Sequence, residues 1–97
     1  MFIDQLDVII AERLANKQSG SYIAKLSDGG LDRVLKKVAE EAGEVIIAAK
    51  NGVATDTIHE AADLLFHLLI TLSMSGITFD DVLAELERRH QVNPHRT

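Results

Sequence analysis

The sequence predicts an all-α fold, an antiparallel bundle of about four helices that is completed by dimerisation. Alanine, leucine and glutamate predominate, only one of the 97 residues is proline, and no run alternates β-branched and polar residues as a half-buried strand would. Apolar residues instead recur at three- and four-residue spacing between short turn signals. We therefore expect residues 1–97 to form one domain, with residues 92–97 as a loose tail.

The first half of the chain contains two predicted helices. The first carries Ile3, Leu6, Ile10 and Leu14 and fades in residues 16–20. Residues 19–30 are short, polar and bounded by glycine, which predicts a loop or a broken turn. The second helix has an acidic polar face, and Asn51-Gly52 signals its end. Its apolar stripe consists of Leu31, Val34, Leu35, Val38, Ala42, Val45, Ile46 and Ala49.

Two further helices are predicted in the second half. The run Thr57-Ile58-His59-Glu60 is typical of a capping box that opens the third helix, and Ser75-Gly76 closes it. Thr78-Phe79-Asp80-Asp81 opens a fourth helix, which ends near residues 88–90 in basic residues that suit a helix C-terminus. Because the connections are short, sequential helices are expected to be antiparallel neighbours.

The third helix predicts self-association. Residues 61–72 are almost all apolar, and their side chains are spread around the whole circumference of a helix. A chain of this length buries only about 60–65% of the surface that it exposes when unfolded, so one copy cannot cover them. We expect a homo-oligomer with a dimer as the minimum.

Composition excludes several classes of function. The chain has no cysteine, which excludes disulfides, thiolate catalysis and Cys-ligated zinc. A formal net charge of −5 with no Lys/Arg-rich run argues against a nucleic-acid groove. The apolar stretch is shorter than the roughly 20 residues that span a bilayer, and no signal-peptide pattern follows Met1. We expect a soluble, cytoplasmic protein with no membrane partner.

Two acidic pairs are the candidate chemistry. Glu41-x-x-Glu44 lies on the second helix with Glu40 beside it, and Glu60-x-x-Asp63 lies on the third. Residues three apart share a helix face, so two packed helices would direct four carboxylates at one point. A hard divalent cation relieves the repulsion among them. Mg²⁺, or Mn²⁺ as a substitute, prefers such oxygen ligands and keeps positions for substrate phosphates.

A plain structural interpretation remains open for these carboxylates. On spacing alone, Glu40, Glu41 and Glu44 also fit the solvated face of an amphipathic helix. Asp63 favours the metal, because its neighbours in the sequence predict apolar surroundings, where a lone carboxylate is rare unless paired or metal-bound. A salt bridge from Asp63 to a lysine is the alternative.

Other polar residues have both a structural and a functional interpretation. Lys37 precedes Glu41 by four residues, so it forms either an intrahelical ion pair or a contact to a phosphate oxygen. His67 is better explained as a hydrogen-bonded core histidine than as a ligand. A di-iron bundle would place a histidine three residues after a Glu ligand, but here Glu44 follows Glu41 and Asp63 follows Glu60 at that spacing, which disfavours iron. His59, His90 and His95 belong to no recognisable constellation. Ser21, Tyr22 and Lys25 fit an ordinary polar connection, and nothing supports a serine nucleophile.

The acidic motif resembles the metal-binding signature of the all-α nucleoside-triphosphate pyrophosphohydrolase superfamily. Around it, residues 21–26 (SYIAKL), 36–44 (KKVAEEAGE) and 60–69 (EAADLLFHLL) resemble the phosphoribosyl-ATP pyrophosphatase family. The similarity extends over residues 2–91. Ile23 and Ala39 depart from it, because the family often has Thr and Gly there. Some members are fused to a cyclohydrolase domain, and we expect the stand-alone form here.

This resemblance implies Mg²⁺-dependent hydrolysis of phosphoribosyl-ATP to phosphoribosyl-AMP and pyrophosphate, the second step of histidine biosynthesis. It implies Glu41, Glu44, Glu60 and Asp63 as metal ligands. Glu40 would orient or deprotonate water, and Lys37 would contact phosphate. The loop residues Ser21, Tyr22 and Lys25 are further candidates for substrate binding. The resemblance also implies dimers or dimers of dimers. The alternatives are a house-cleaning nucleoside-triphosphate pyrophosphatase with the same motif and a helical interaction module without an active site.

Overall fold

The structure, a computed structural model, describes residues 1–97 and consists of helices and turns only. The all-α prediction is confirmed, but there are five α-helices rather than four. They are α1 (Phe2–Ala15), α2 (Tyr22–Asp28), α3 (Leu31–Asn51), α4 (Ala54–Met74) and α5 (Phe79–Val92). Short 3₁₀ turns lie at Lys17–Ser19 and Pro94–Arg96. The second 3₁₀ turn lies in the expected tail, residues 92–97, all of which are exposed.

The centre of the fold is the hairpin of α3 and α4. Each helix has 21 residues, so each is about 32 Å long. The predicted end of α3 is confirmed, because Gly52 adopts a left-handed conformation (φ 77°) and its N–H donates to the carbonyls of Ala48 and Ala49. Only Gly52 and Val53 separate the two helices. The helices therefore pack side by side and antiparallel along their length.

Two predicted element boundaries are wrong. Residues 19–30 are not a loop, because α2 forms there with the Ser21 hydroxyl as its N-cap, accepting from the backbone N–H of Ala24 at 3.1 Å. Ile23, Ala24, Leu26 and Ser27 of this helix are buried. Nor does Thr57 open the next helix. α4 begins one turn earlier, at Ala54, and the Thr57 hydroxyl donates to the carbonyl of Val53 within that turn.

A small core joins the first four helices. It consists of Ile10, Ile23, Leu26, Val34, Leu69 and Ile70. In the whole chain, 10 of 97 residues are buried. The radius of gyration is 15.1 Å, whereas a compact domain of this length has about 12.5 Å. One copy of the chain is therefore incompletely packed, but α4, the predicted third helix, is better covered than expected, because only Ile58 and Leu65 of its large apolar side chains are exposed.

Helix α5 leaves the bundle instead of returning along it. The predicted helix start at Thr78 is confirmed, and it is a capping box, with the Thr78 hydroxyl accepting from the N–H of Asp81 and the Asp81 carboxylate accepting from the N–H of Thr78. The axes of α4 and α5 are bent by 103°, so the expected antiparallel arrangement is wrong for this pair. The Asp7 carboxylate of α1 holds the start of α5 by accepting from the N–H of Phe79 at 2.9 Å. No residue of α5 is buried.

No single helix combines the length and the hydropathy needed to cross a bilayer, and only the bent pair of α4 and α5 taken together reaches both.

Candidate active site

Glu41 points into the hairpin from α3. It is seven residues from both Val34 and Ala48, which are buried, and seven residues are close to two turns, so the three share one face. The Glu41 side chain is only 12% exposed, whereas that of its neighbour Glu40 is 47% exposed. Glu41 therefore lies against α4, and Glu40 lies at the rim.

Glu60 takes the matching place on α4. It is seven residues before the buried His67 and is itself partly buried. Desolvation raises the pKa of the Glu60 carboxyl, and the nearby carboxylates of Glu44, Glu41 and Asp63 raise it further, while His59 opposes them. The packing of α3 on α4 thus places Glu41, Glu44 and Asp63 close enough to Glu60 to raise its pKa.

The α4 side of this cluster includes a histidine that the sequence reasoning missed. Ligand atoms of His59, Glu60 and Asp63 all lie within 4.8 Å of one another. His59 Nε2 lies 3.4 Å from Asp63 Oδ2. The four-residue spacing of His59 and Asp63 was the available signal, because such residues are neighbours on a helix surface.

The predicted apolar surroundings of Asp63 are wrong. Its side chain is 40% exposed and contacts His59 rather than a lysine. The prediction took sequence neighbours as spatial neighbours, but on a helix the spatial neighbours are three and four residues away. For Asp63 these are His59, Glu60, Phe66 and His67, so three of the four are polar.

Lys37 is the cation of the site. Its Nζ lies 3.5 Å from Glu40 Oε2 and 3.8 Å from Glu41 Oε1, so the intrahelical ion pair of the structural interpretation is present. Desolvation lowers the pKa of the Lys37 ammonium, but Glu40, Tyr22 and Glu41 outweigh it and leave the pKa above its ordinary value. Lys37 is therefore positively charged beside the acidic cluster. Neither Glu44 nor Glu60 has a cation of its own.

Tyr22 is the residue of the early segment that reaches the site. Its hydroxyl lies 2.8 Å from His67 Nε2, and His67 Nδ1 lies 2.8 Å from the carbonyl oxygen of Asp63. The prediction of His67 as a hydrogen-bonded core histidine is confirmed, since only 5% of the residue is exposed.

No hydrogen bond or ion pair joins Ser21 or Lys25 to the acidic cluster. The Ser21 hydroxyl caps α2 and also accepts from the Ser19 hydroxyl at 2.9 Å. Lys25 is exposed, and its carbonyl accepts from Arg33 Nη1 at 3.3 Å. Their side chains thus lie at the start and on the exposed side of α2, and their predicted role in substrate binding stays a prediction.

The donor set of the cluster fits a hard divalent cation. Desolvation, followed by the nearby carboxylates, raises the pKa of Glu60, and the ammonium group of Lys37 contacts only Glu40 and Glu41. Oxygen donors in such excess are the ligands of Mg²⁺ and Mn²⁺. Fold and site together define an all-α protein with a carboxylate cluster between its two long helices.

Comparison with known proteins assigns the family. The sequence model of the phosphoribosyl-ATP pyrophosphohydrolase family matches residues 3–90, which include all five helices except Phe2 of α1 and the last two residues of α5. The chain belongs to this family.

Relatives agree with this assignment. The chain is 46% identical over 89 residues to the phosphoribosyl-ATP pyrophosphatase of Leptospira biflexa, and the match covers 92% of this chain and 97% of that protein. It is 52% identical over 89 residues to the histidine biosynthesis bifunctional protein HisIE of Thermus thermophilus, with 92% of this chain and 42% of that protein covered. The match to the HisIE of Deinococcus radiodurans is 51% identical over 87 residues and covers 90% of this chain and 40% of that protein. The chain thus spans about two fifths of the length of these bifunctional relatives.

The pKa of Glu60, raised by desolvation and by the neighbouring carboxylates, predicts a pH-dependent stability of the metal-free protein. Because the pKa of Glu60 is raised on folding, the folded state holds its proton more tightly, and the free energy of unfolding falls as pH rises from the ordinary value of 4.5 through the raised pKa. Glu60→Gln removes this loss. We expect the variant to melt at a higher temperature than the natural chain near pH 7 in chelator.

Thermal denaturation followed by circular dichroism measures this effect. Glu12→Gln is the matched control, because Glu12 is exposed on α1 and forms no ion pair. An equal rise in both variants, or a lower melting temperature for Glu60→Gln, would contradict the proposed repulsion.

Proposed function

We propose that this chain hydrolyses phosphoribosyl-ATP to phosphoribosyl-AMP and pyrophosphate, the second step of histidine biosynthesis, in the cytoplasm. One observation supports the chemistry above all: the carboxylates of Glu41 and Glu44 on α3 and of Asp63 on α4 all raise the pKa of Glu60, and neither Glu44 nor Glu60 has an ion-pair partner. Membership of the family and the names of the relatives support the choice of substrate.

In this proposal Glu41, Glu44, Glu60 and Asp63 hold Mg²⁺, and Mn²⁺ can replace it. The bound ion offsets the charge of the polyphosphate and lowers the pKa of a coordinated water. The protein contributes a scaffold for the site, because Glu41 and Glu60 are partly buried on the long helices of the hairpin and ligand atoms of Glu60 and Asp63 already lie within 4.8 Å of each other.

The residues at the rim have separate roles. Glu40 is half-exposed and adjacent to the proposed ligand Glu41, so it can accept a proton from water without being a ligand itself. Lys37 has three N–H donors, and those not used by Glu40 and Glu41 can bind a phosphate oxygen. We place Ser21 and Lys25 among the substrate contacts, since the Ser21 hydroxyl accepts twice and its own O–H remains available to donate.

Substrate selectivity tests this proposal. Pyrophosphate release should be measured for phosphoribosyl-ATP and for ATP, GTP, dUTP and other nucleoside triphosphates under the same conditions. We expect kcat/KM for phosphoribosyl-ATP to exceed the others by at least about a hundredfold. Similar values across the panel would favour a house-cleaning pyrophosphatase, and no turnover of any of them would favour the interaction module.

We further propose a homodimer as the minimum functional unit. The accessible surface of the chain is 6678 Å², against about 5,500 Å² for a compact monomer of this mass. A surplus of about 1,200 Å² on each copy would give an interface in the range of obligate dimers. The hairpin supplies a suitable apolar face, because large side chains of α3 and α4 are exposed: Leu31, Leu35, Ile46, Ile47, Ile58 and Leu65.

An acidic residue on this face should separate the subunits. Ile46→Glu is expected to shift the protein from dimer to the 10.6 kDa monomer in sedimentation equilibrium at micromolar concentration, because burying the new charge is costly. Val92→Glu is the control, since Val92 is 72% exposed and Ile46 is 69% exposed, but Val92 lies at the end of α5. A fully active natural monomer at that concentration would refute the dimer.

A further inference from the structure

The buried ring of His67 links α2 to the acidic cluster with a defined direction of hydrogen bonding. Nδ1 lies 2.8 Å from the carbonyl oxygen of Asp63, and a carbonyl oxygen can only accept, so Nδ1 carries a proton. In the neutral ring Nε2 then has none and must accept. The partner of Nε2 is the Tyr22 hydroxyl at 2.8 Å. Tyr22 is therefore the donor in this pair.

Aromatic packing holds the Tyr22 ring in place. It stacks on Phe66 with a centroid distance of 6.1 Å and an interplanar angle of 28°, and it meets the His67 ring edge-on at 5.8 Å. Phe66 and His67 in turn pack edge-on at 5.4 Å. Such aromatic pairs add to the stability gained from burial alone, so the position of the phenol oxygen is well defined.

The packed Tyr22 side chain still faces solvent and the charged groups of the site. Tyr22 is half-exposed, and its oxygen is close enough to Lys37 to contribute to the raised pKa of that ammonium. Lys37 in turn contacts Glu40 and Glu41. The oxygen is also linked to the acidic cluster by geometry, since it lies 2.8 Å from His67 Nε2 and His67 Nδ1 lies 2.8 Å from the carbonyl oxygen of Asp63.

The direction of the Tyr22–His67 bond limits what Tyr22 can bind. Because its proton is engaged by His67, its remaining capacity is to accept. Ionised phosphate oxygens are acceptors as well and cannot pair with it. The ribose hydroxyls of a nucleotide can donate to it.

We propose that His67 is a positioning residue that orients the Tyr22 hydroxyl, so that the phenol oxygen accepts a hydrogen bond from a ribose hydroxyl of the substrate. This proposal rests on the proposed function for the identity of the substrate. It also gives the two substrate-facing groups of the site different roles, since Lys37 donates to a phosphate oxygen and Tyr22 accepts from a ribose hydroxyl.

The tautomer of His67 can be observed directly without substrate. Ring nitrogen chemical shifts from long-range ¹H–¹⁵N correlation spectra should show the proton on Nδ1 and none on Nε2 in the natural protein at neutral pH. Tyr22→Phe should change the Nε2 shift and leave Nδ1 protonated. A proton on Nε2 in the natural protein would overturn the proposal, because Tyr22 would then be an acceptor of that bond and free to donate to phosphate.

Kinetics test the link between the two residues. At saturating Mg²⁺ we expect Tyr22→Phe to raise KM for phosphoribosyl-ATP by up to about tenfold, the effect of one hydrogen bond, with little change in kcat. His67→Leu should have a similar effect, and Tyr22→Phe combined with His67→Leu should be no worse than either alone. His67→Gln, which keeps an acceptor for the Tyr22 proton, should recover part of the loss. His95→Gln is the control for an exposed histidine.

Two kinetic results would overturn the proposal. One is a double variant whose losses multiply, since His67 would then act independently of Tyr22. The other is an unchanged KM in Tyr22→Phe. This variant can be measured even if His67→Leu proves unstable. Failure of the proposed function is a different result: the natural chain would not release pyrophosphate from phosphoribosyl-ATP at all, while the tautomer of His67 would still be measurable.

Discussion

Asp63→Asn and Glu60→Gln are each expected to reduce turnover of phosphoribosyl-ATP by about a hundredfold to a thousandfold, the largest loss that the structure predicts. Each change removes one anionic oxygen donor from a cluster of four carboxylates and leaves the packing of the hairpin intact. Mg²⁺ affinity should fall with activity, and raising the Mg²⁺ concentration should restore part of the rate. Pyrophosphate release against free Mg²⁺, together with calorimetric titration, measures both quantities.

The control for this experiment is a carboxylate outside the acidic cluster. Glu12→Gln makes the same chemical change on the exposed face of α1 and should leave both the rate and the Mg²⁺ affinity unchanged. If Asp63→Asn and Glu60→Gln both kept normal activity at sub-millimolar Mg²⁺, the assignment of these residues as ligands would be wrong.

Glu40→Gln should have the second largest effect, and a different signature. Glu40 is half-exposed and paired with Lys37, whereas its neighbour Glu41 lies in the packed face of the hairpin. We expect kcat to fall by about a hundredfold, as for loss of a general base, while Mg²⁺ affinity changes by no more than a few-fold. Kinetics and calorimetry on this variant separate the two roles. A large loss of Mg²⁺ affinity with a kcat that recovers at high Mg²⁺ would identify Glu40 as a ligand instead.

Local signals in the sequence predicted the long helices well. Gly52 ends α3 because it can adopt a positive φ, and Thr78 with Asp81 opens α5 through reciprocal capping bonds. These interactions lie within one turn of the chain, so residue type and spacing are sufficient to predict them. The acidic pairs were predictable for the same reason, since the three-residue spacing fixes their common helix face.

The errors arose where distant parts of the chain decide the structure. Helix α2 has only seven residues, too few to be stable alone, and it forms because Ile23 and Leu26 complete the core. The direction of α5 depends on Asp7, which is 72 residues away from its partner Phe79. The link between Tyr22 and His67 joins residues 45 positions apart. Patterns within a few residues of the sequence do not predict such contacts.

The family resemblance supplied the substrate and the individual roles, which spacing could not supply. Helical periodicity predicts that Glu41 and Glu60 can face one another, and the packed hairpin bears this out. It does not distinguish phosphoribosyl-ATP from another polyphosphate, because both would use the same carboxylates. The four-residue spacing of His59 and Asp63 indicates that they are neighbours on the helix, but spacing alone does not distinguish a site residue from one on the solvated face of an amphipathic helix.

The most direct test of the central claim is the balance of products from phosphoribosyl-ATP under control of Mg²⁺. The natural chain should be incubated with this substrate, with Mg²⁺ or with chelator, and the products separated and quantified. The account predicts one pyrophosphate for each phosphoribosyl-AMP, formed only in the presence of Mg²⁺ or Mn²⁺. Release of single phosphates, or equal turnover in chelator, would contradict it.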